Sequence, residues 1–475
     1  MLERKNHWSF SRRECIGLAI GICLLIAFGV NLERRTALRR APMTDLGVFA
    51  ITSEALWSGE NIYTVTDWHG WHYQYAPTLA VLFLPLAEPL PQTLPVLAPG
   101  EQRTATNTPW GYGISGHNGY YGLHDENRRF FSIVAAWYVL SVLFVFLSAH
   151  ALACALDGSG FKSPPPEKSL ERHRWWALRL LPLLVCGGSL GTELSRGQVD
   201  VLMLVTIAFG IYLAANKQAF KAGVWLSFSA AVKLYPPFLL VYPFWRLQWR
   251  MATGVMAGLA LFLMIIPMTV LGPKQTIESY RTWVQVLAKP ALGQGTDTSR
   301  LTELTGMTST DNQSLLATIH NWRYHSLPRN QRPQQAAPSE RYLVYIISAV
   351  MLVGIGFAVG IRRRDSRQEL LTIAGLLIGL TFVASPVAHN YYYLLMLPLV
   401  AALLDQGLAR QPERAANWKI LLPVIVFMFT DLMVRMPFIG AVLRDLGAPL
   451  LSLIYLMWGG AMVLVRQRGK LTTVA

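Results

Sequence analysis

The sequence predicts an all-α, polytopic membrane protein, and three observations carry that expectation. Hydrophobic residues make up 53% of the 475 positions and charged residues only 15%, too apolar a balance for a soluble globule. Apolar runs of near membrane length recur from one end of the chain to the other. The basic surplus, a net charge of +15, is gathered in short stretches between those runs, which is a pattern of membrane topology rather than of nucleic-acid contact. No fixed-period repeat divides the chain, so residues 1–475 are expected to form one integral membrane domain.

A crossing needs about 20 apolar residues, and on that criterion about twelve are expected. In order they are 15–30, 130–156, 175–190, 199–215, 220–232, 235–245, 251–271, 342–361, 370–385, 391–404, 418–436 and 448–465. The first follows Arg4, Lys5, Arg12 and Arg13 as a signal peptide would, yet no small-residue cleavage site comes after it, so it is expected to be retained. Cys15, Cys23, Cys154 and Cys186 fall inside apolar runs and imply no disulfide or metal framework.

The two pieces flanking Lys233 are each too short to span alone. Lys162, Lys168, Arg172 and Arg174, then Lys217 and Lys221, Arg246 and Arg250, Arg362 to Arg364, Arg410, Arg414 and Lys419, and Arg466, Arg468 and Lys470 share one side only if the chain turns back near Lys233-Leu234-Tyr235-Pro236-Pro237. The expectation is a broken, re-entrant pair whose tip faces the outer leaflet, with both termini cytoplasmic. Arg34, Arg35, Arg39 and Arg40 go against this scheme, which puts them outside. There they would serve lipid headgroups, or belong to a loop long enough to escape the positive-inside rule.

Two long outer loops follow, 31–129 and 272–341. The first contains Asp45, an amphipathic stretch through Trp57, and a segment rich in rings: Tyr63, Trp68, His69, Trp71, His72, Tyr73 and Tyr75. Its apolar piece 79–86, bounded by Pro77 and Pro85, is too short to cross and is expected to lie at the interface. The polar insert 95–127 is expected to be a flexible hairpin or a locally disordered loop.

Several short motifs, in order, carry a resemblance. They are Asp45-Leu46-Gly47-Val48-Phe49, Gly59-Glu60-Asn61-Ile62-Tyr63, Tyr73-Gln74-Tyr75-Ala76-Pro77, Gly197-Gln198-Val199-Asp200, Ala222-Gly223 with Ala230-Ala231-Val232-Lys233 and Pro236, Asn312-Gln313-Ser314-Leu315, and Ser385-Pro386. Together they resemble glycosyltransferase family 87, GT-C membrane enzymes that include polyprenol-phosphate-mannose-dependent mannosyltransferases. One stretch departs from the pattern. In the family, Ser-Pro is often followed by a tryptophan and a pair of histidines, whereas here His389 stands at the tryptophan position and tyrosines at the histidine positions.

The resemblance implies transfer of a hexosyl group, mannosyl by family, from a polyprenyl-phosphate sugar to a hydroxyl of a lipid-linked or cell-envelope acceptor. Such a transfer needs a base for the acceptor proton, and direct displacement inverts the anomeric centre. Asp45 is the candidate base. The leaving phosphate needs cations already aimed at it; Lys233, at the break between two apolar pieces, is the first candidate, with Arg196 and His389. Tyr63, Tyr75, Gln198, Asn312, Gln313 and Asn390 are the candidate contacts to sugar and acceptor. No Asp-x-Asp pair occurs in the sequence, which favours a monophosphate donor with no metal and no cofactor.

Each residue also has a plainer reading. Asp45 is placed to cap the helix through Trp57, and Lys233 to snorkel to headgroups. Arg196 and Glu193 would pair in a short loop, and Gln198 and Asp200 would pack helices. His389 reads as an interfacial histidine, Asp431 and Arg435 as an i, i+4 ion pair, and the rings from Trp68 to Tyr75 as an aromatic belt. Two other classes stay open. A transporter or flippase should show repeated halves with paired breaks; a non-catalytic subunit of an envelope-assembly complex should tolerate Asp45→Asn.

Overall fold

Inside lipid a backbone must satisfy its own polar groups, and a helix does so within one segment. In the computed structural model the described residues are accordingly helical, with two isolated bridges and no strands. The structure describes residues 11–38, 44–66, 71–86, 125–233, 237–291, 294, 303, 305–360, 365–408 and 417–472. The 95–127 insert, apart from the helical backbone beginning at Asp125, and the tip residues 234–236 lie outside them, as do Trp68, His69 and Arg362 to Arg364.

In chain order the helices are α1 Arg12–Arg35, α2 Leu46–Trp57, α3 Pro77–Phe83, α4 Asp125–Asp157, α5 Ser169–Val185, α6 Gly187–Arg196, α7 Asp200–Ala215, α8 Ala219–Lys233 and α9 Pro237–Trp245. They continue with α10 Trp249–Leu271, which contains a π-turn at Leu261–Ile265, α11 Pro273–Trp283, α12 Leu315–Arg323, α13 Pro338–Val359 and α14 Arg367–Ala384. The last are α15 Leu397–Gly407, α16 Trp418–Met433, α17 Ile439–Asp445 and α18 Ala448–Thr472, with a 3₁₀ segment Asn390–Met396 leading into α15.

Against the twelve expected crossings, six helices among the described residues are long and apolar enough to span, or up to seven if the bent pair α5 and α6 counts as one. The other expected crossings are shorter. The 15 residues of α8, for example, extend about 22 Å, short of a hydrocarbon core of about 30 Å.

Polar pairs fix two ends of the bundle. At one end Arg172 and Trp176 bond Glu14, Arg174 pairs with Asp405, Arg246 with Asp365, and Arg367 reaches Ala155 and Asn216. The opposite end gathers the C-termini of α1, α6, α8, α14 and α16 and carries the site described below.

The turn at Lys233 follows from glycine packing. A Cβ on Gly254 would lie 2.1 Å from the Phe220 carbonyl oxygen, and one on Gly258 3.0 Å from Val224 Cα; the Phe228 and Phe262 rings meet at 4.7 Å. The contacts advance together along both helices, so α8 and α10 run parallel. The chain between them must reverse, and α9 is the return limb. Lys233 is thereby left at the site end.

One expectation is corrected. The piece 79–86, expected at the interface, is buried over its helical part: α3 packs between α8 and α10, where Thr78 donates to the Phe262 carbonyl at 2.7 Å and Ser53 to that of Ala80 at 3.2 Å. Pro77 opens the helix at a position whose N–H needs no partner.

Candidate active site

Asp45 precedes α2 with helical backbone angles, and its side chain makes no capping bond. The capping role is therefore not the one its carboxylate plays. Instead Gln198 Nε2 donates to Asp45 Oδ2. Gln198 is buried and held by its neighbour Gly197, which ends α6 at φ +65°, a conformation that favours glycine. A Cβ on Gly197 would meet the Leu46 side chain at 2.5 Å, and the Gly197 carbonyl accepts from Trp137 Nε1 at 3.0 Å. The residues beside Gln198 and Asp45 thus press on each other and set the register of the pair.

Lys233 ends α8 with its Nζ 2.8 Å from Asp200 Oδ1 and 3.8 Å from the centre of the Tyr392 ring. Tyr75 and Tyr391 lie at 5.6 and 5.8 Å. Both rings are also within electrostatic reach of Asp45. Asp45 and Lys233, far apart in sequence, therefore flank the same two tyrosines. A second buried carboxylate, Glu193, shares this neighbourhood and accepts the Val201 N–H at 3.2 Å.

Beyond Tyr391 opens a cleft of about 210 Å³ lined by Arg35, Arg196, Arg435, Arg444, Asp311 and His389, among others. Arg196 lies 3.6 Å from Asp311 and 5.5 Å above the Tyr391 ring, within cation–π range. His389 stacks on the same ring, parallel to Tyr391 at 5.3 Å, and is edge-on to Tyr392. Burial, then the charges of Lys233 and Arg196, push its pKa down to about 4, so it is neutral at neutral pH.

Not all candidate residues face this space. Arg196 pairs with Asp311 and not with Glu193, which is turned inward toward Asp200. Tyr63 is fully buried and donates to the Tyr75 carbonyl at 3.0 Å, so it supports Tyr75 from behind. Asn312 spends its amide on the carbonyls of Thr305 and Pro386 and on the N–H groups of Ser314 and Ala388. It pins the Ser385-Pro386 loop to the segment 305–314 and has no group left for a sugar. Gln313 Nε2 donates to the Thr310 and Arg444 carbonyls, while its buried Oε1 has no hydrogen-bond partner; the same holds for Asn390 Oδ1. Of the described rings in this segment, Tyr63 and Tyr73 are buried, Trp71 is exposed, and His72 is bonded to Glu303 at 2.9 Å.

Arg35, Arg435 and Arg444 were not singled out as site residues. Their only sequence signals were a basic pair against the topological rule and an i, i+4 acid–base spacing, and that ion pair forms, at 3.3 Å.

The model of glycosyltransferase family 87 matches residues 73–386, more than half of the chain. No curated protein and no solved structure matches.

Proposed function

The chain belongs to glycosyltransferase family 87 and is a membrane glycosyltransferase, and from that premise we propose that its donor is a polyprenyl-phosphate hexose, mannose by family resemblance. The acceptor is a hydroxyl of a lipid-linked or cell-envelope glycan. The reaction takes place at the extracytoplasmic face of the cell membrane, with both termini cytoplasmic; the clustering of Arg172, Arg174, Lys217, Arg246 and Arg250 toward the opposite end supports that orientation.

In this scheme Asp45 takes the acceptor proton as the acceptor oxygen attacks the anomeric carbon. The carbon–oxygen bond to phosphate breaks on the far face, its electron pair stays with the phosphate, and the configuration inverts. Arg196 and His389 receive the phosphate in the cleft, Arg196 as a cation and His389 as a neutral hydrogen-bonding group. Lys233, neutralised in part by Asp200, keeps the floor beneath Tyr391 and Tyr392 positive. Tyr75, Gln198, Gln313 and Asn390 form the sugar and acceptor side, with Tyr63 and Asn312 fixing them from behind. Fixed cations take the role a metal plays on a nucleotide diphosphate, and no Asp-x-Asp pair is present to hold one.

The observation that carries this reading is the placement of Asp45 and Lys233 on the same two tyrosines, one of which walls the arginine cleft. Asp45 lies outside the matched residues 73–386, so its role rests on that position. The test is Asp45→Asn in reconstituted membranes with labelled polyprenyl-phosphate sugars. Turnover should be lost with donor binding intact. Retained transfer would remove the mechanism, and uptake without transfer would favour a transporter.

A further inference from the structure

Three cleft arginines have no part in the scheme above: Arg35, Arg435 and Arg444. They come from the end of α1, from the turn before α17 and from the last turn of α17, so the fold has brought Arg35 together with guanidinium groups about 400 residues away. Asp311 pairs with Arg196, and Asp431 with Arg435.

Arg435 and Arg444 are held before any ligand arrives. Arg435 Nη2 donates to Asp431 Oδ1 and Ser189 Oγ, both at 3.3 Å. Asp431 is itself fixed by the Ser189 N–H at 2.8 Å and hydroxyl at 2.6 Å. Gly188 makes this possible, because a Cβ there would come within 2.2 Å of the Asp431 carbonyl. Arg444 donates to the Val434 carbonyl at 2.8 Å, and its own carbonyl accepts from Gln313 at 3.0 Å. The Nε of each is buried with no hydrogen-bond partner, a costly state for a guanidinium unless an anion compensates it.

We propose that Arg35, Arg435 and Arg444 complete, with Arg196, a seat for a phosphate monoester, the carrier phosphate as it stands once the sugar has left. The inference rests on the transferase reading above. In the donor the phosphate is a diester with a single negative charge. When the glycosidic carbon–oxygen bond breaks, the phosphate keeps the electron pair, the sugar carbon bonds the acceptor oxygen, and the acceptor proton goes to Asp45. The phosphate then carries a charge between about −1.5 and −2 at neutral pH. Fixed cations gain most from the charge that develops, so the seat favours departure over donor binding. At about 210 Å³ the cleft is smaller than the usual ligand pocket of about 300 Å³ or more, so it takes a phosphate and an adjoining edge of sugar, not a whole glycan.

The test compares Arg435→Gln, Arg435→Lys and Arg444→Gln with wild type and with Arg329→Gln. Arg329 forms an exposed pair with Asp445 outside the cleft and serves as the control. Measured quantities are kcat, donor KM, inhibition by polyprenyl monophosphate, and direct binding of that monophosphate to the detergent-solubilised protein. Each Gln variant in the cleft should lose about 10²-fold in kcat and bind the monophosphate at least about tenfold more weakly, with donor KM nearly unchanged. Arg435→Lys should recover part of both, and Arg444→Gln, which touches no ion pair, keeps the test open if Arg435→Gln fails to fold. Wild-type turnover and monophosphate binding in Arg444→Gln, or in Arg435→Gln where it folds, would overturn the seat. A wild type that binds the monophosphate through these arginines but transfers no sugar would sink the transferase reading instead.

Discussion

Gln198 Nε2 donates a hydrogen bond to Oδ2 of Asp45, the proposed base, across 153 positions of sequence. The bond holds one oxygen of the carboxylate in place. A hydrogen bond to a charged group contributes about 1.5–3 kcal/mol, so Gln198→Ala should lower kcat by roughly ten- to a hundredfold. Donor KM should stay near wild type, because the bond positions the base rather than the donor. Gly197→Ala should behave similarly, since φ +65° and the Leu46 side chain at 2.5 Å both oppose a Cβ. Steady-state kinetics on both variants decide the matter; a rise in KM at constant kcat would contradict it.

Lys233 and Asp200 form a buried pair, Asp200 fully shielded and Lys233 nearly so. Removing one partner leaves an uncompensated charge, at a cost of about 3–5 kcal/mol. Lys233→Met should therefore unfold at markedly lower temperature than wild type, and Lys233→Met with Asp200→Asn should recover most of the loss. Thermal melts of the two single variants and the double variant supply the cycle. If the double variant also regains donor affinity, Lys233 acts through its charge balance with Asp200; if affinity stays low, it contacts the phosphate itself.

Much of this was legible in the sequence, and the gaps have a physical origin. Asp45, Arg196 and His389 stood out because isolated polar residues beside apolar runs are costly and need a reason. Arg35 read as an exception to the topological rule and Asp431 with Arg435 as a local ion pair. That ion pair forms, but only the fold shows that α1, α6 and α16 end at one cleft. Nothing in the 33-residue separation of Lys233 and Asp200 announces that the two form a pair. Residues 77–83 were misplaced because a seven-residue apolar helix reads alike at an interface and in a core.

His389 should make stability pH-dependent in one direction. Its folded pKa, about 4, lies below the ordinary value of 6.5, so the unfolded chain binds its proton first as pH falls. The contribution is complete above pH 6.5 and is lost as pH drops toward 4. His389→Phe keeps a ring against Tyr391 and cannot titrate, so its melting temperature should fall less than that of wild type between pH 6.5 and 4.5. Parallel curves for the two proteins over that range would show that His389 is not the group responsible.

Two glycine substitutions should move stability in opposite directions. In an exposed helix interior, glycine to alanine gains up to about 1 kcal/mol, and Gly354 in α13 has nothing within 4 Å of an added Cβ, so Gly354→Ala should raise the melting temperature. At Gly223 the same methyl would sit 2.2 Å from the Met251 carbonyl oxygen and 2.6 Å from Val255 N. These are backbone atoms that cannot rotate away, so α8 must shift from α10 at a cost of about 1–3 kcal/mol, which outweighs the propensity gain. Lys233 rides at the end of α8, and Gly223→Ala should therefore lose turnover as well as stability, while Gly354→Ala should leave turnover untouched. Melting curves and sugar transfer measured on the same preparations check both; a stabilised Gly223→Ala would contradict the close parallel packing of α8 on α10.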